Sequence, residues 1–404
     1  MSKVTDKQQI KRLTFLFMVV YMVSYITRIN YGAVIAGMEK ASGITKDMLS
    51  LAVTGSFITY GAGQIVSGIC GDKFPPRLLI SCGFITTILM NLLIPLCPNA
   101  YAMAVVWSIN GFAQAFMWPP LIRIMTILFS GKDYSEVVAK VNWGGSFGTI
   151  AIYIVAAVLV EFISWKAVFV FSALCGIIML VMWNKFCPDV RTEQKVKTEV
   201  DVDKKTGNKM LFAPLMLVIM LAIIMQGALR DGITTWMPSY INETYRLGES
   251  ISILTGAVLP LFAIACMWIA SRLHSKKFTN PVMCAGVIFA TGAIAAFVLS
   301  LSTGKNAVIS ITCMAVLSGA MCGANLMLVS MLPAAFKKYG NVSTASGVIN
   351  SCTYIGSAIS TYGIALVSYK FGWGTTVDLW LALAVAGTVI CFICAKPWRK
   401  THME

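Results

Sequence analysis

The chain has 404 residues, of which 57% are hydrophobic and only 12% are charged. A soluble domain carries about 25% charged residues, and the apolar residues here form runs of the length, about 20 residues, that spans a bilayer as a helix. The composition excludes an ordinary soluble protein. The net charge of +15 does not indicate a nucleic-acid partner, because the basic residues lie mainly at the ends of the apolar runs.

Hydropathy predicts an all-α membrane protein with twelve transmembrane helices and no cleavable signal peptide before the first. The predicted spans are residues 12–37, 47–71, 78–97, 100–129, 136–161, 165–186, 212–240, 250–273, 281–302, 306–334, 343–369 and 374–396. Twelve spans place both termini on one side, and the loops of that side contain most of the Lys and Arg residues. The other side holds only Lys40, Lys46, Lys166, Arg246, Lys305 and Lys370. We therefore expect cytoplasmic termini and a multi-pass protein of the cell (inner) membrane.

The longest polar stretch, Cys187 to Lys209, separates the first six spans from the last six. It predicts an N-terminal half (1–186), a cytoplasmic linker (187–210) and a C-terminal half (211–404). The halves look like copies, because shifts of 208 or 202 residues align matching residues: Asn142 with Asn350, Gly148 with Gly356, Trp165 with Trp373 and Arg28 with Arg230. Parallel six-helix halves with a site at the membrane midplane are a transporter plan.

Two arginines lie deep in predicted spans, Arg28 in the first and Arg230 in the seventh. Such a charge at mid-bilayer costs from about 2.5 kcal/mol on insertion scales to 10 kcal/mol or more in simulations. A guanidinium presents a planar fork that suits a phosphate or a carboxylate, so we predict that both arginines bind an anion. The alternative is a structural ion pair. Asp231 follows Arg230 directly, but successive helical side chains diverge by about 100°, and we expect it not to face the same point.

The segment Gly68-Ile-Cys-Gly-Asp72-Lys73-Phe-Pro-Pro-Arg77 lies between spans two and three. It resembles the Gly-x-x-x-Asp-Arg/Lys loop signature of the major facilitator superfamily, which implies that superfamily's twelve-helix, two-domain fold. Asp72 is expected to cap a neighbouring helix N-terminus as a charged latch. We assign Asp72, Lys73, Arg77 and Arg123 to gating, the last as an ion-pair partner for Asp72 near the cytoplasmic end of span four.

The resemblance narrows to the organophosphate:phosphate antiporter family, whose members carry glycerol-3-phosphate or hexose phosphates. It covers nearly the whole chain and rests on these stretches and residues: 25–31, 43–77, Gly111, Gln114, Trp118-Pro119-Pro120, Arg123, Arg230, Gly232, Trp236, Pro238, Tyr240, Tyr354, Gly356 and 371–373. In that family two arginines, on spans one and seven, grip the substrate phosphate. The resemblance implies that role for Arg28 and Arg230, and exchange for inorganic phosphate.

Six further residues complete the predicted substrate site: Tyr21, Tyr25, Tyr60, Gln64, Trp118 and Asn142. Tyr21, Tyr25 and Arg28 share one helical face, although packing explains the tyrosines equally well. The Trp-Pro-Pro segment removes two backbone donors and must bend or break span four.

Two positions depart from the family pattern: Gln64 replaces a lysine and Val141 replaces a histidine. The lower positive charge suits an anion less charged than a phosphate dianion, such as a carboxylate or a phosphodiester. Asp231, where the family typically has an aromatic residue, is either a proton-coupling carboxylate or a salt-bridge partner.

The sequence thus predicts a monomeric secondary transporter of a small organophosphate-like anion that works by alternating access. Antiport with phosphate and proton coupling both stay open. An empty carrier with two unpaired arginines is expected to resist closure. The alternative function is a non-transporting membrane sensor of a phosphorylated metabolite, because the same family contains such a sensor. No enzyme, cofactor or metal site is predicted: the chain lacks a nucleophile–base constellation and an ATP-binding loop, and both histidines lie in loops.

Overall fold

The computed structural model describes residues 3–188, 204–247 and 258–402, and the regular structure in these ranges is helical throughout. The first seven helices are α1 (Lys7–Ser42), α2 (Lys46–Lys73), α3 (Pro76–Leu93), α4 (Ala100–Gln114), α5 (Trp118–Leu128), α6 (Gly131–Phe162) and α7 (Trp165–Phe186). The next five are α8 (Lys204–Leu211), α9 (Pro214–Tyr245), α10 (Val258–Lys276), α11 (Pro281–Ser302) and α12 (Ala307–Asn325).

The remaining helical chain contains two irregular stretches. After α12 the backbone continues through a π-helical segment, Leu326–Met331, and a 3₁₀ segment, Leu332–Tyr339. The last stretch, Val342–His402, is interrupted at Gly372, whose φ of 80° and ψ of 174° are non-helical. This left-handed φ favours glycine, and it separates α13 (342–371) from α14 (373–402), where the sequence predicts the break between spans eleven and twelve.

Ten helices in the described ranges are long and apolar enough to cross a membrane. The other two predicted spans correspond to α4 with α5, which a break shortens, and to the first part of Val342–His402. The predicted eighth span begins at residues 250–257, which lie outside the described residues, as does most of the predicted linker, 189–203. Many large apolar side chains face outward, for example Phe162 at 80% and Ile393 at 66% exposure. A soluble monomer rarely shows so much apolar surface, whereas a bilayer accommodates it.

The break in span four follows from its prolines. Helix α4 ends at Gln114, a turn follows, and α5 begins at Trp118 with Pro119 and Pro120 in its first turn. Proline is tolerated there because the first turn of a helix lacks intrahelical partners for its N–H groups. The predicted interruption is therefore confirmed.

The chain divides into two compact units. The first comprises Met1–Val202 with Lys337–Val348, and the second comprises Asp203–Phe336 with Ile349–Glu404. Residues 337–348 thus group with the first unit although they follow most of the second in sequence. The predicted boundaries at residues 186 and 210 stay a prediction.

Each unit contains a tight glycine crossing at an equivalent position. A Cβ built on Gly148 of α6 would lie 2.4 Å from the Met22 carbonyl oxygen of α1. A Cβ built on Gly356 of α13 would lie 2.0 Å from the Ile224 carbonyl oxygen of α9. Met22 precedes Arg28 by six residues, as Ile224 precedes Arg230. The same close backbone contact therefore fixes the helix that carries each arginine.

We expect Gly148→Ala and Gly356→Ala each to destabilise the protein by about 1–3 kcal/mol, the typical cost of overpacking. The control is Gly363→Ala, two turns after Gly356 on α13, where an added Cβ meets no atom within 4 Å. The measurement is the apparent melting temperature of purified protein in detergent. Equal melting of Gly356→Ala and Gly363→Ala would contradict the proposed role of the crossing.

Candidate functional site

In the first unit, Arg28 lies against two tyrosine rings. Its Cζ atom is 4.3 Å from the ring centroid of Tyr25 on α1 and 4.6 Å from that of Tyr60 on α2. Both distances are within the range of cation–π attraction, about 0.5–2 kcal/mol each. Aromatic rings stabilise a cation without cancelling its charge, so these two contacts help to hold the guanidinium in place.

Two more predicted residues extend this aromatic group. The Tyr21 ring centroid is 5.0 Å from that of Tyr25 and 4.6 Å from that of Trp118, and the two tyrosine hydroxyls are 3.4 Å apart. Gly145 on α6 makes room for the rings, because a Cβ there would lie 3.0 Å from the Tyr25 ring. The structure therefore joins Tyr21, Tyr25 and Trp118 in one aromatic group, and Arg28 contacts this group through Tyr25 and contacts Tyr60 as well.

Gln64 is fully buried and supports the break in span four. Its Nε2 atom donates to the carbonyl oxygen of Ala115 at 3.4 Å. In an uninterrupted helix that oxygen would accept from the N–H of residue 119, but residue 119 is a proline and has none. This contact is structural, and the predicted contact of Gln64 with substrate stays a prediction.

Asn142 has a similar local contact, since its Nδ2 atom donates to the Val138 carbonyl oxygen of its own helix at 2.9 Å. The side chain is half-buried on α6, three residues before Gly145. Its predicted role in substrate binding likewise remains a prediction.

A buried polar network, missed at the level of sequence, fixes α1 beside Arg28. The Thr27 carbonyl oxygen accepts from the amides of Asn91 and Asn110, both at 3.2 Å, and the Thr27 hydroxyl accepts from Gln114 at 2.8 Å. Asn30 donates to the Asn91 side chain at 2.7 Å. Satisfied buried networks of this kind rigidify their surroundings. The available signal was the presence of amide side chains in the middle of apolar spans.

In the second unit, Arg230 pairs with the residue that follows it. Its Nε atom is 2.6 Å from Asp231 Oδ1, and its Nη2 atom is 2.8 Å from Asp231 Oδ2. The expectation that Asp231 cannot face the same point is therefore wrong, and Arg230 is not unpaired. The 100° rule describes the Cα–Cβ directions, whereas the long, flexible arginine side chain folds back to reach its neighbour. Salt-bridge pairing is thus observed for Asp231.

The pair lies where α9 meets α13. A Cβ on Gly227 would lie 2.1 Å from the Thr353 carbonyl oxygen, so the two helices touch one turn before Arg230. One turn after Thr353, the Ser357 hydroxyl contacts both Asp231 Oδ2 and the Thr353 carbonyl oxygen, the latter at 2.9 Å. A serine hydroxyl has a single proton and donates to one of these acceptors at a time.

A second carboxylate, Asp72 at the end of α2, occupies a helix N-terminus. It accepts from the backbone N–H groups of Ser343 at 3.0 Å and Thr344 at 2.7 Å, in the first turn of Val342–His402. Arg123 Nε lies 4.0 Å from Asp72 Oδ1, and this arginine also donates to the Gly71 carbonyl oxygen. The structure thus contains both the predicted cap and the predicted ion pair, and their part in gating stays a prediction.

The other two residues assigned to gating are Arg77, at the start of α3, and Lys73, which directly follows Asp72. Arg77 donates to the Asn184 carbonyl oxygen at the end of α7, and the Trp183 indole donates to the Arg77 carbonyl oxygen at 3.2 Å. Arg77 therefore fastens the start of α3 to α7. The Lys73 side chain is exposed.

The chain is similar to known proteins over nearly its whole length. Residues 17–361 match the family model of the Major Facilitator Superfamily. The membrane sensor protein UhpC of Salmonella typhimurium is 22% identical over 411 residues, 95% of this chain and 91% of that protein. The glycerol-3-phosphate transporter of Bacillus subtilis is 24% identical over 383 residues, 87% and 85% of the two chains.

Among solved structures, the fucose:proton symporter FucP of E. coli matches with a TM-score of 0.76 and 12% identity, over 96% of this chain and 99% of that chain. At this identity the likeness shows the fold alone. The predicted all-α fold with twelve transmembrane helices in two six-helix halves is confirmed.

For Tyr60→Leu we expect a coupling with Arg28. Tyr60→Leu should destabilise the protein by about 0.5–2 kcal/mol less in an Arg28→Met background than in the wild type, because the cation–π contact is then already lost. Unfolding free energies from denaturant titration in mixed micelles measure this cycle. Tyr101→Leu, a ring 66% exposed on α4, is the control and should show no coupling. An equal cost of Tyr60→Leu in both backgrounds would rule out the contact.

Loss of the Asp72 cap should lower the stability of the protein in two steps. Asp72→Asn should be less stable than the wild type, and Asp72→Ala should be less stable than Asp72→Asn. Asn keeps one acceptor oxygen without the charge, whereas Ala leaves both N–H groups unpaired, a change of about 0.5–2 kcal/mol for a helix cap. The control is Glu136→Gln, because Glu136 forms an exposed ion pair with Lys132 at 3.9 Å and such pairs contribute little. Melting temperatures test the order, and an Asp72→Ala protein as stable as Glu136→Gln would refute it.

Proposed function

The chain belongs to the Major Facilitator Superfamily, and from this premise we propose that it is a secondary active transporter of a small, organophosphate-like anion that works by alternating access. One observation carries the proposal: each unit places an arginine six residues after a tight glycine crossing, Arg28 in one and Arg230 in the other. A membrane-buried cation at such repeated positions indicates a binding function. The chain is a transporter-family protein and not an enzyme.

The proposed substrate contacts are the two guanidinium groups, each of which suits bidentate binding of a phosphate or carboxylate. Beside Arg28, Tyr60 and the aromatic group of Tyr21, Tyr25 and Trp118 supply apolar surface for the organic part of the substrate. Similarity to the glycerol-3-phosphate transporter of Bacillus subtilis supports a phosphate ester as the substrate class. A thermal-shift screen of organic phosphates, phosphodiesters and carboxylates on the purified protein identifies the anion.

The second candidate function is that of a sensor, favoured by the similarity to the membrane sensor protein UhpC over 95% of this chain. A sensor would bind the same anion without moving it. Saturable uptake into liposomes supports the transporter, and binding without flux supports the sensor. We further propose that the protein is a monomer. We also propose that it lies in the cell membrane with both termini in the cytoplasm, a topology that the distribution of basic residues supports.

Arg28→Lys and Arg230→Lys should each reduce uptake at least about tenfold, because an ammonium cannot reproduce the bidentate fork, and a loss of about 1.4 kcal/mol is tenfold in affinity. The measurement is uptake of labelled sn-glycerol 3-phosphate, or of the best ligand from the screen, into phosphate-loaded proteoliposomes. Arg12→Lys, an exposed position on the same helix as Arg28, serves as the control. Uptake near the wild-type rate by either variant would contradict the proposed binding role of the substituted arginine.

A further inference from the structure

The guanidinium fork of Arg230 is occupied by a carboxylate of the chain itself. Asp231 uses both of its oxygens on Nε and Nη2 of Arg230, at 2.6 and 2.8 Å. This is the bidentate arrangement by which an arginine holds a carboxylate or a phosphate. An anionic substrate that binds this edge of Arg230 competes with Asp231 for the same donors, and the negative charge of Asp231 opposes an anion at the remaining Nη1 donors as well.

We propose that Asp231 is an internal competitor for the anion at Arg230, and that each anion binds there together with one proton, which neutralises Asp231 and opens the fork. This inference rests on the proposed function and assigns proton coupling to it. The charges balance, because the pair has no net charge before binding. A proton on Asp231 leaves one positive charge, which the arriving anion compensates.

Ser357 can form a hydrogen bond with both the ionised and the protonated form of Asp231. When Asp231 is ionised, the Ser357 hydroxyl donates to Oδ2. When Asp231 is protonated, its O–H can donate to the Ser357 oxygen while the serine proton goes to the Thr353 carbonyl oxygen, 2.9 Å away. A hydroxyl donates and accepts, so the protonated acid keeps a hydrogen-bond partner after it leaves Arg230.

The surroundings contain few other groups that titrate. Among the described residues of this unit, those in electrostatic reach of Arg230 besides Asp231 are Tyr354 on α13 and Cys322 on α12. Thr234 on α9 bonds to the Arg230 carbonyl oxygen at 2.7 Å and carries no charge. Asp231 is the carboxylate of this group, and we assign the proton to it.

A permanent structural ion pair is the alternative, and the chain contains one for comparison. The side chains of Arg123 and Asp72 are 13% and 7% exposed, whereas those of Arg230 and Asp231 are 21% and 32% exposed. The side chains of the second pair are the more exposed to solvent. This difference favours an exchangeable pair at Arg230.

The test is Asp231→Asn, which keeps the size of the side chain and removes its charge. In proteoliposomes with labelled sn-glycerol 3-phosphate, an alkaline interior should raise wild-type uptake and leave Asp231→Asn unaffected. Exchange of the same anion at equal pH should persist in the variant. The matched control is Asp378→Asn, an exposed carboxylate of the same unit that accepts from Ser300 at 2.7 Å, and it should respond to the gradient as the wild type does. An unchanged gradient response in Asp231→Asn overturns the proposal.

A second measurement uses the wild-type protein directly. When sn-glycerol 3-phosphate is added to weakly buffered, purified protein, the wild type should take up about one more proton per bound anion than Asp231→Asn does. Subtraction of the two proton uptakes removes the proton changes of the anion itself. The wild-type affinity should fall with rising pH toward a limiting slope of tenfold per unit, as one linked proton requires. Equal proton uptake overturns the role of Asp231 while anion binding stands. No binding of any anion in the screen overturns the proposed function as well.

Discussion

The placement of positive charge inside apolar helices is the constraint on which the other features of this protein depend. An arginine in a membrane-spanning segment must be held and its charge stabilised, or the helix would not keep it. In both units a glycine crossing holds the helix, through Gly148 against Met22 and Gly356 against Ile224. The stabilisation differs: tyrosine rings contact Arg28, whereas a carboxylate contacts the arginine of the second unit.

This difference follows from how the space one turn before each arginine is filled. In the first unit a large side chain, Tyr25 on α1, lies against Gly145 on α6. At the equivalent positions of the second unit the sizes are reversed, and Gly227 on α9 lies against Thr353 on α13. No aromatic ring can therefore reach the second arginine from that position on its own helix. The adjacent Asp231 supplies stabilisation there, and it cancels charge where a ring would preserve it.

Hydropathy and proline chemistry are local properties, and they predict most of the fold: the spans, the break before Trp118 and the separate last two helices. The cap by Asp72 was also predictable, because a carboxylate at a helix N-terminus is a general preference. The partners of Gln64 and Asp231 were not, since Ala115 and Ser357 lie 51 and 126 residues away. Only the folded helices bring such residues together, and side-chain flexibility, which spacing rules ignore, allows Arg230 to reach its neighbour.

The two buried carboxylates differ in what their partners can do. The backbone N–H groups of Ser343 and Thr344 can only donate, so neither can accept a hydrogen bond from a protonated Asp72. Those hydrogen bonds stabilise the ionised form of Asp72 and suit a structural role. The Ser357 hydroxyl that contacts Asp231 can reverse its hydrogen bond, so a protonated Asp231 keeps a partner, and the proposed anion takes the guanidinium donors that Asp231 releases. Because unsatisfied buried groups are expensive, this reversibility makes Asp231, and not Asp72, suited to take up and release a proton during transport.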